Sequence, residues 1–185
     1  METSMLKRII LVCSALFIFG STYSATWVDK SGKAIPDSLS RKSSKNFIAQ
    51  LVLTDNEPKL LKNWNTPSKD VFTPTANTIE KGKILSGFII FGGCATDTLG
   101  NCDLVVRYKI YQPDGKVYSD LSLMEVWSGK PVPPHKSLGL GVGYLRVIIE
   151  PDEPLGQYRV DAKVTDRRGG DSVKLSATFN AIEKK

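Results

Sequence analysis

Two stretches near the C-terminus, 157–165 and 172–181, alternate apolar and polar residues, and this alternation limits the fold more than any other feature. Tyr158, Val160, Ala162 and Val164 share one side of the first; Val173, Leu175, Ala177 and Phe179 share one side of the second. Successive side chains of a strand point to opposite faces, so each stretch can bury one face and wet the other. Asp166, Arg167, Arg168, Gly169 and Gly170 between them form a turn-rich connection.

The preceding chain reads the same way. Segment 84–91 (ILSGFIIF) is rich in β-branched and aromatic residues, and 104–111 places Val106, Tyr108 and Ile110 opposite Val105, Arg107 and Lys109. Pro113, Asp114 and Gly115 make a turn, because proline presets φ and glycine accepts a positive one. Residues 116–126 then return as the partner strand. Pro131, Pro133 and Pro134 mark a stiff extended loop, and 138–149 reads as a further strand that Gly139, Gly141 and Gly143 make easy to bend. Upstream, 47–54 is a strand or a short helical entry. Residues 57–67, with Leu60, Leu61 and Trp64, form one helical turn or an irregular cover, and Pro67 and Pro74 prevent a long helix. Short strands at this spacing, without long amphipathic helices, indicate an all-β chain folded as one antiparallel sandwich over 46–185. The polar stretch 25–45, rich in Ser and Lys, reads as a flexible N-terminal arm.

The N-terminus sets the compartment. Lys7 and Arg8 precede an apolar run over 9–20, and small or polar Ser21, Thr22, Ser24 and Ala25 follow. Charge, short apolar run and small residues in that order spell a secretory signal peptide over 1–24, cut at Ser24–Ala25 or Ala25–Thr26. No small-residue lipobox precedes Cys13, and no later segment is long and apolar enough to span a membrane. The expected location is periplasmic, with secretion or the cell surface as the alternative. Loss of Lys7, Arg8 and Glu2 lowers the formal net charge of +6 by one, and the remaining lysines lie scattered among acids. That balance gives little support to nucleic-acid binding. Cys94 and Cys102 are then the cysteines left, and in an oxidising compartment such a pair is expected to form a disulfide.

The run Pro154, Leu155, Gly156, Gln157, Tyr158, Arg159, Val160, with Val164, Thr165, Asp166 and on to Phe179, resembles the closing hairpin of bacterial immunoglobulin-like, fibronectin-III-like and macroglobulin-type domains. Those domains often end on a P-x-G-x-Y-x-V strand and a V-x-D turn. The resemblance covers about the last thirty residues and implies an immunoglobulin-like envelope sandwich. It transfers no functional residue. It also departs from the antibody pattern, since Cys94 and Cys102 stand too close in sequence to be that family's cross-sheet pair.

Residues 92–102 lie between two strong strands, so a Cys94–Cys102 bond is expected to clasp the neck of a hairpin loop and to stabilise by about 2.5 kcal/mol. A stapled loop would present Asp97, Thr98, Leu99 and Asn101 to a partner at low ordering cost. Trp127, followed by Ser128, Gly129, Lys130 and Pro131, offers a second anchor on a loop stiffened by prolines; spacing leaves open where the two loops lie relative to each other. Trp64 and Trp127 are also the candidate stacking platforms for a sugar.

Other chemistry finds little support. Asp97, Asn101 and Asp103 would need an oxygen ligand where Leu99 stands to make a calcium loop. His135 is the single histidine and has no nucleophile motif beside it, and Glu150, Asp152 and Glu153 flank prolines in a connection. No glycine-rich phosphate loop occurs, so neither metal nor cofactor is expected. The reading is a non-enzymatic exported module that binds an envelope or exported protein. Inhibitor or immunity proteins, adhesion subunits and envelope-complex accessories belong to this class. The alternative is a carbohydrate-binding or carbohydrate-processing protein that uses Trp64 or Trp127.

Overall fold

Alternation along the chain resolves into eleven strands and one helix in a computed structural model that describes residues 27–29, 31–66, 75–134 and 137–184. The expected signal peptide with Cys13, and also His135, lie outside the described residues. The strands are β1 (Arg41–Ser44), β2 (Phe47–Thr54), β3 (Thr78–Glu80), β4 (Ile84–Gly92), β5 (Asn101–Tyr111), β6 (Val117–Asp120), β7 (Met124–Pro131), β8 (Gly139–Leu140), β9 (Leu145–Ile148), β10 (Gly156–Asp166) and β11 (Ser172–Ile182). Helix α1 (Glu57–Asn65) follows β2.

One sheet has the order β1-β2-β4-β8, with β9 also on β4; the other has β3-β11-β10-β5-β6, with β7 also on β5. Every pairing is antiparallel except β3 with β11. The expected all-β sandwich is therefore present. Its core takes one face of each strand: Phe47, Ile89 and Phe91 from the first sheet meet Tyr108, Tyr158, Val160 and Phe179 from the second. Tyr158 stacks on Phe179 at 5.3 Å, and its hydroxyl donates to the Pro154 carbonyl at 2.8 Å. This satisfies the polar tip of a buried ring, in the manner of the tyrosine corner of immunoglobulin-type sandwiches.

At both margins backbone bonds pass from one sheet to the other. On one side Ser176 N–H donates to Leu39 C=O while Leu51 N–H donates to Ser40 C=O, so residues 39–40 bridge β11 and β2. Ala76 N–H to Leu53 C=O and Asn180 N–H to Asn77 C=O repeat the bridge further along. On the other side Gly141 N–H reaches Ile89 C=O in β4 and Val142 N–H reaches Val126 C=O in β7.

The structure differs from the sequence reading at five places. The stretch 25–45 was expected as a flexible arm, but within it β1 pairs with β2 and Val28 bridges Ala34. The cause is Trp27, which is buried against a second apolar cluster (Ile48, Val52, Leu60, Phe88, Ile90, Leu140) on the outer face of the first sheet. Its indole N–H donates to the Lys42 carbonyl at 3.3 Å. The stretch after Asn56 is a full helix of nine residues, capped by the Asn56 side chain on Lys59 N–H and carrying Pro58 in its first turn, where a missing N–H costs nothing. Residues 92–101 do not join a hairpin: β4 and β5 belong to different sheets, so the segment is a crossover. The single partner strand expected over 116–126 is two strands, β6 and β7, and β5 shifts register against them after Ile110 and again at Cys102 and Leu104. The strand expected over 138–149 is likewise broken into β8 and β9. Its glycines permit close approach: a Cβ on Gly141 would meet the Val126 side chain at 2.6 Å, and one on Gly143 would collide with the Glu125 carbonyl oxygen.

Candidate partner-binding surface

Four connections gather at one end of the sandwich: the β1–β2 turn, the β4–β5 crossover, the segment after β7 and the β10–β11 turn. Cys94 and Cys102 are bonded there, with Cα atoms 6.0 Å apart. Cys94 lies two residues past the end of β4 and Cys102 lies within β5, so the bond ties the two sheets together where the sequence had implied the neck of a hairpin.

Inside the ring the four predicted residues have different fates. Asp97 turns its carboxylate inward: Oδ1 accepts Leu99 N–H and Asn101 N–H, each at 2.9 Å, and Oδ2 meets the Arg168 guanidinium at 2.9 Å. The Asn101 N–H chiefly holds the Asp97 carboxyl below its ordinary range; burial opposes this, and Leu99 N–H and the charge of Arg168 add to it. Asn101 opens β5 and is half-buried. Thr98 and Leu99 face outward, and Leu99, 83% exposed, forms the apolar tip. Gly100, with φ of 81°, supplies the left-handed residue that closes the turn.

Trp127 lies within strand β7 and not on the expected loop, and the chain that follows it runs beside the stapled loop. The β5–β7 register pairs Asn101 with Pro131, Cys102 with Lys130 and Leu104 with Trp127, and Val132 N–H donates to Gly100 C=O at 3.0 Å. The stapled loop and the proline-stiffened segment thus share one end of the molecule. The Trp127 ring is largely committed to the protein. Its N–H donates to Pro131 C=O at 3.1 Å, its edge meets Phe91 at 5.3 Å, and the Lys130 ammonium lies 5.3 Å from its centroid. Around these segments Val132, Leu138 and Val142 are exposed apolar side chains.

Trp64 and Trp127 line one groove of about 800 Å³, with Leu61 of α1, Tyr144, Leu140 and Pro133 among its other walls. Tyr144 stacks on Phe88 at 4.3 Å. Its hydroxyl donates to Glu57 Oε1 at 2.7 Å, while Ser86 donates to Oε2 at 2.9 Å and Arg146 pairs with it at 3.1 Å. Burial pushes the Glu57 carboxyl up, but the bonds from Tyr144 and Ser86 and the charge of Arg146 outweigh it and hold the group ionised. Glu57 therefore pins the start of α1 to the first sheet and fixes the wall of the groove. Sequence reasoning missed this cluster, since its four members come from three separate segments.

No family model matches the chain, and no curated protein matches it. A family 123 glycoside hydrolase from Clostridium perfringens is similar at 10% identity and a TM-score of 0.41, over 74% of this chain and 27% of that one. An alkylpurine DNA glycosylase from Pseudomonas fluorescens is similar at 18% identity and 0.34, over 57% of this chain and 27% of that one. The CARDB domain of a Pyrococcus furiosus protein is similar at 10% and 0.37, over 80% of this chain and 100% of that domain. The chain thus spans 27% of the length of each of the first two. At this level of likeness no activity comes with them. Among the described residues no helix is long and apolar enough to cross a membrane.

Proposed function

We propose that this chain is a non-enzymatic, exported protein-binding module of the cell envelope, an immunoglobulin-like sandwich that works in the periplasm. It meets its partner with the end that carries Leu99 and the segment from Trp127 to Pro134. One observation carries the reading: two independently constrained segments, one stapled by Cys94–Cys102 and one stiffened by prolines, are bonded side by side through Val132 and Gly100. A surface already ordered loses little entropy on binding. It also has the right anatomy, with exposed Leu99, Val132, Leu138 and Val142 bordered by Thr98 and Lys130. The charged, apolar and small-residue N-terminus and the disulfide support export. An inhibitor or immunity protein, an adhesion subunit or an accessory of an envelope complex would each use such a surface.

A second reading, carbohydrate binding or processing, is favoured by the groove that Trp64 and Trp127 share. It ranks lower because the Trp127 ring is already engaged by Pro131, Phe91 and Lys130. Affinity capture from an envelope extract, with glycan-array binding in parallel, separates the two. A stoichiometric protein held by the native chain and weakened by L99A by at least about 1 kcal/mol supports the first. Glycan binding abolished by W64A supports the second and overturns the first.

A further inference from the structure

The outer face of the second sheet carries a row of like charges. Register places Lys163 of β10 directly between Arg107 of β5 and Lys174 of β11, and all three side chains point away from the core. Neighbouring strands lie about 4.8 Å apart, and like charges directly opposite each other destabilise a sheet. Nearby acids relieve Arg107 but not the two lysines. Asp120 is taken by Arg107 at 3.0 Å and Lys109 at 3.5 Å, and Asp161 by Arg159 at 3.1 Å. Among the described residues no carboxylate pairs with Lys163 or Lys174. The face is also concave: a trough of about 430 Å³ runs over it, walled on one side by Leu39 and Lys42 and on the other by Tyr111 and Asp120.

We propose that this trough binds an acidic polysaccharide chain, one that carries carboxylates among free hydroxyls. The ligand's carboxylates supply the counter-charge that Lys163 and Lys174, with Lys42 at the wall, lack. Asp161 selects the rest of the ligand. Asp161 uses Oδ1 for both Arg159 and the Ser176 hydroxyl at 2.8 Å, which leaves Oδ2 open to donors. A uniform polyanion would be repelled there, whereas sugar hydroxyls donate to it. A lipid surface is flat and does not enter a trough. The face of Tyr111 is covered by the Arg159 guanidinium at 4.1 Å, so this ring is not free to stack a nucleobase. The site is separate from the Leu99 end, and it stands or falls independently of the protein-binding reading.

Titration of the mature protein with an oligogalacturonate of about ten residues, at low and at physiological salt, tests this. Binding that weakens with salt and falls about tenfold or more in K163Q/K174Q, while L99A binds as the native chain does, is the expected result. Both substituted lysines are exposed, and their exchange removes repulsion, so the double variant should fold; circular dichroism checks it. No binding, or equal binding by the folded double variant, overturns the proposal. So does equal or tighter binding of polyglutamate or of phosphatidylglycerol vesicles, which would assign the face to an acidic protein or to a membrane.

Discussion

Asp166 Oδ2 accepts the backbone N–H of Ala95 at 2.7 Å, so the turn after β10 grips the first residue inside the disulfide ring. The same carboxylate takes Arg168 N–H and Gly169 N–H on Oδ1 at 3.0 and 3.1 Å, and Asp166 is 1% exposed. A side chain on Gly169 would crowd it at 2.8 Å. Asp166 is therefore the point where the stapled loop and the closing hairpin become one rigid body.

Replacing Asp166 by Ala should destabilise the protein by about 2–3 kcal/mol, because three backbone N–H donors lose one buried, charged acceptor together. Urea unfolding followed by circular dichroism measures this. A midpoint within error of the native one would show that the tie is incidental.

The disulfide should contribute about 2–3 kcal/mol by restricting the unfolded chain. In C94A/C102A the sandwich should persist with a native spectrum, since Asp166 and the Val132–Gly100 bond still hold the crossover. Loss of the β-sheet signal at room temperature would mean that the bond is required for folding.

Acid should loosen the stapled loop. The folded state holds the Asp97 carboxyl below its ordinary range, mainly through Asn101 N–H. The loop is therefore favoured above the usual carboxylate range, and this is lost as pH falls through the lowered folded value. Hydrogen exchange at Leu99 and Asn101, corrected for its intrinsic pH dependence, should show protection falling over that window in the native chain. In D97N protection should be low and independent of pH there.

Gly143→Ala should cost about 3 kcal/mol or more, because the new methyl group collides with the Glu125 carbonyl. Thermal unfolding reports it. Little change in midpoint would mean that residues 141–144 can move off β7 cheaply.

The strands were legible because alternation marks them residue by residue, as in Tyr158, Val160, Ala162 and Val164. What joins the strands was not. Sequence adjacency of 84–91 and 104–111 suggests a hairpin, yet both strands carry so much apolar surface that each occupies the middle of its own sheet. Trp27 was hidden because one tryptophan among polar residues has no period to betray it. That the Leu99 loop and the segment after Trp127 share one end depends on a β5–β7 register that shifts twice within a few residues. The Arg107–Lys163–Lys174 row had a signal, a cation on the wet face of each of three strands, but pairing was needed to align them.

The bridges at the sandwich margins bear on what happens when many copies of this chain fold side by side. Residues 39–40 and 76–77 on one flank, and 141–142 on the other, occupy main-chain groups that a bare sheet edge would offer to a neighbour. A half-folded copy finds little template there, and runaway fibre growth is starved of its seed. Peeling back either flank would supply one, so the short segments that close the margins act as gatekeepers against aggregation.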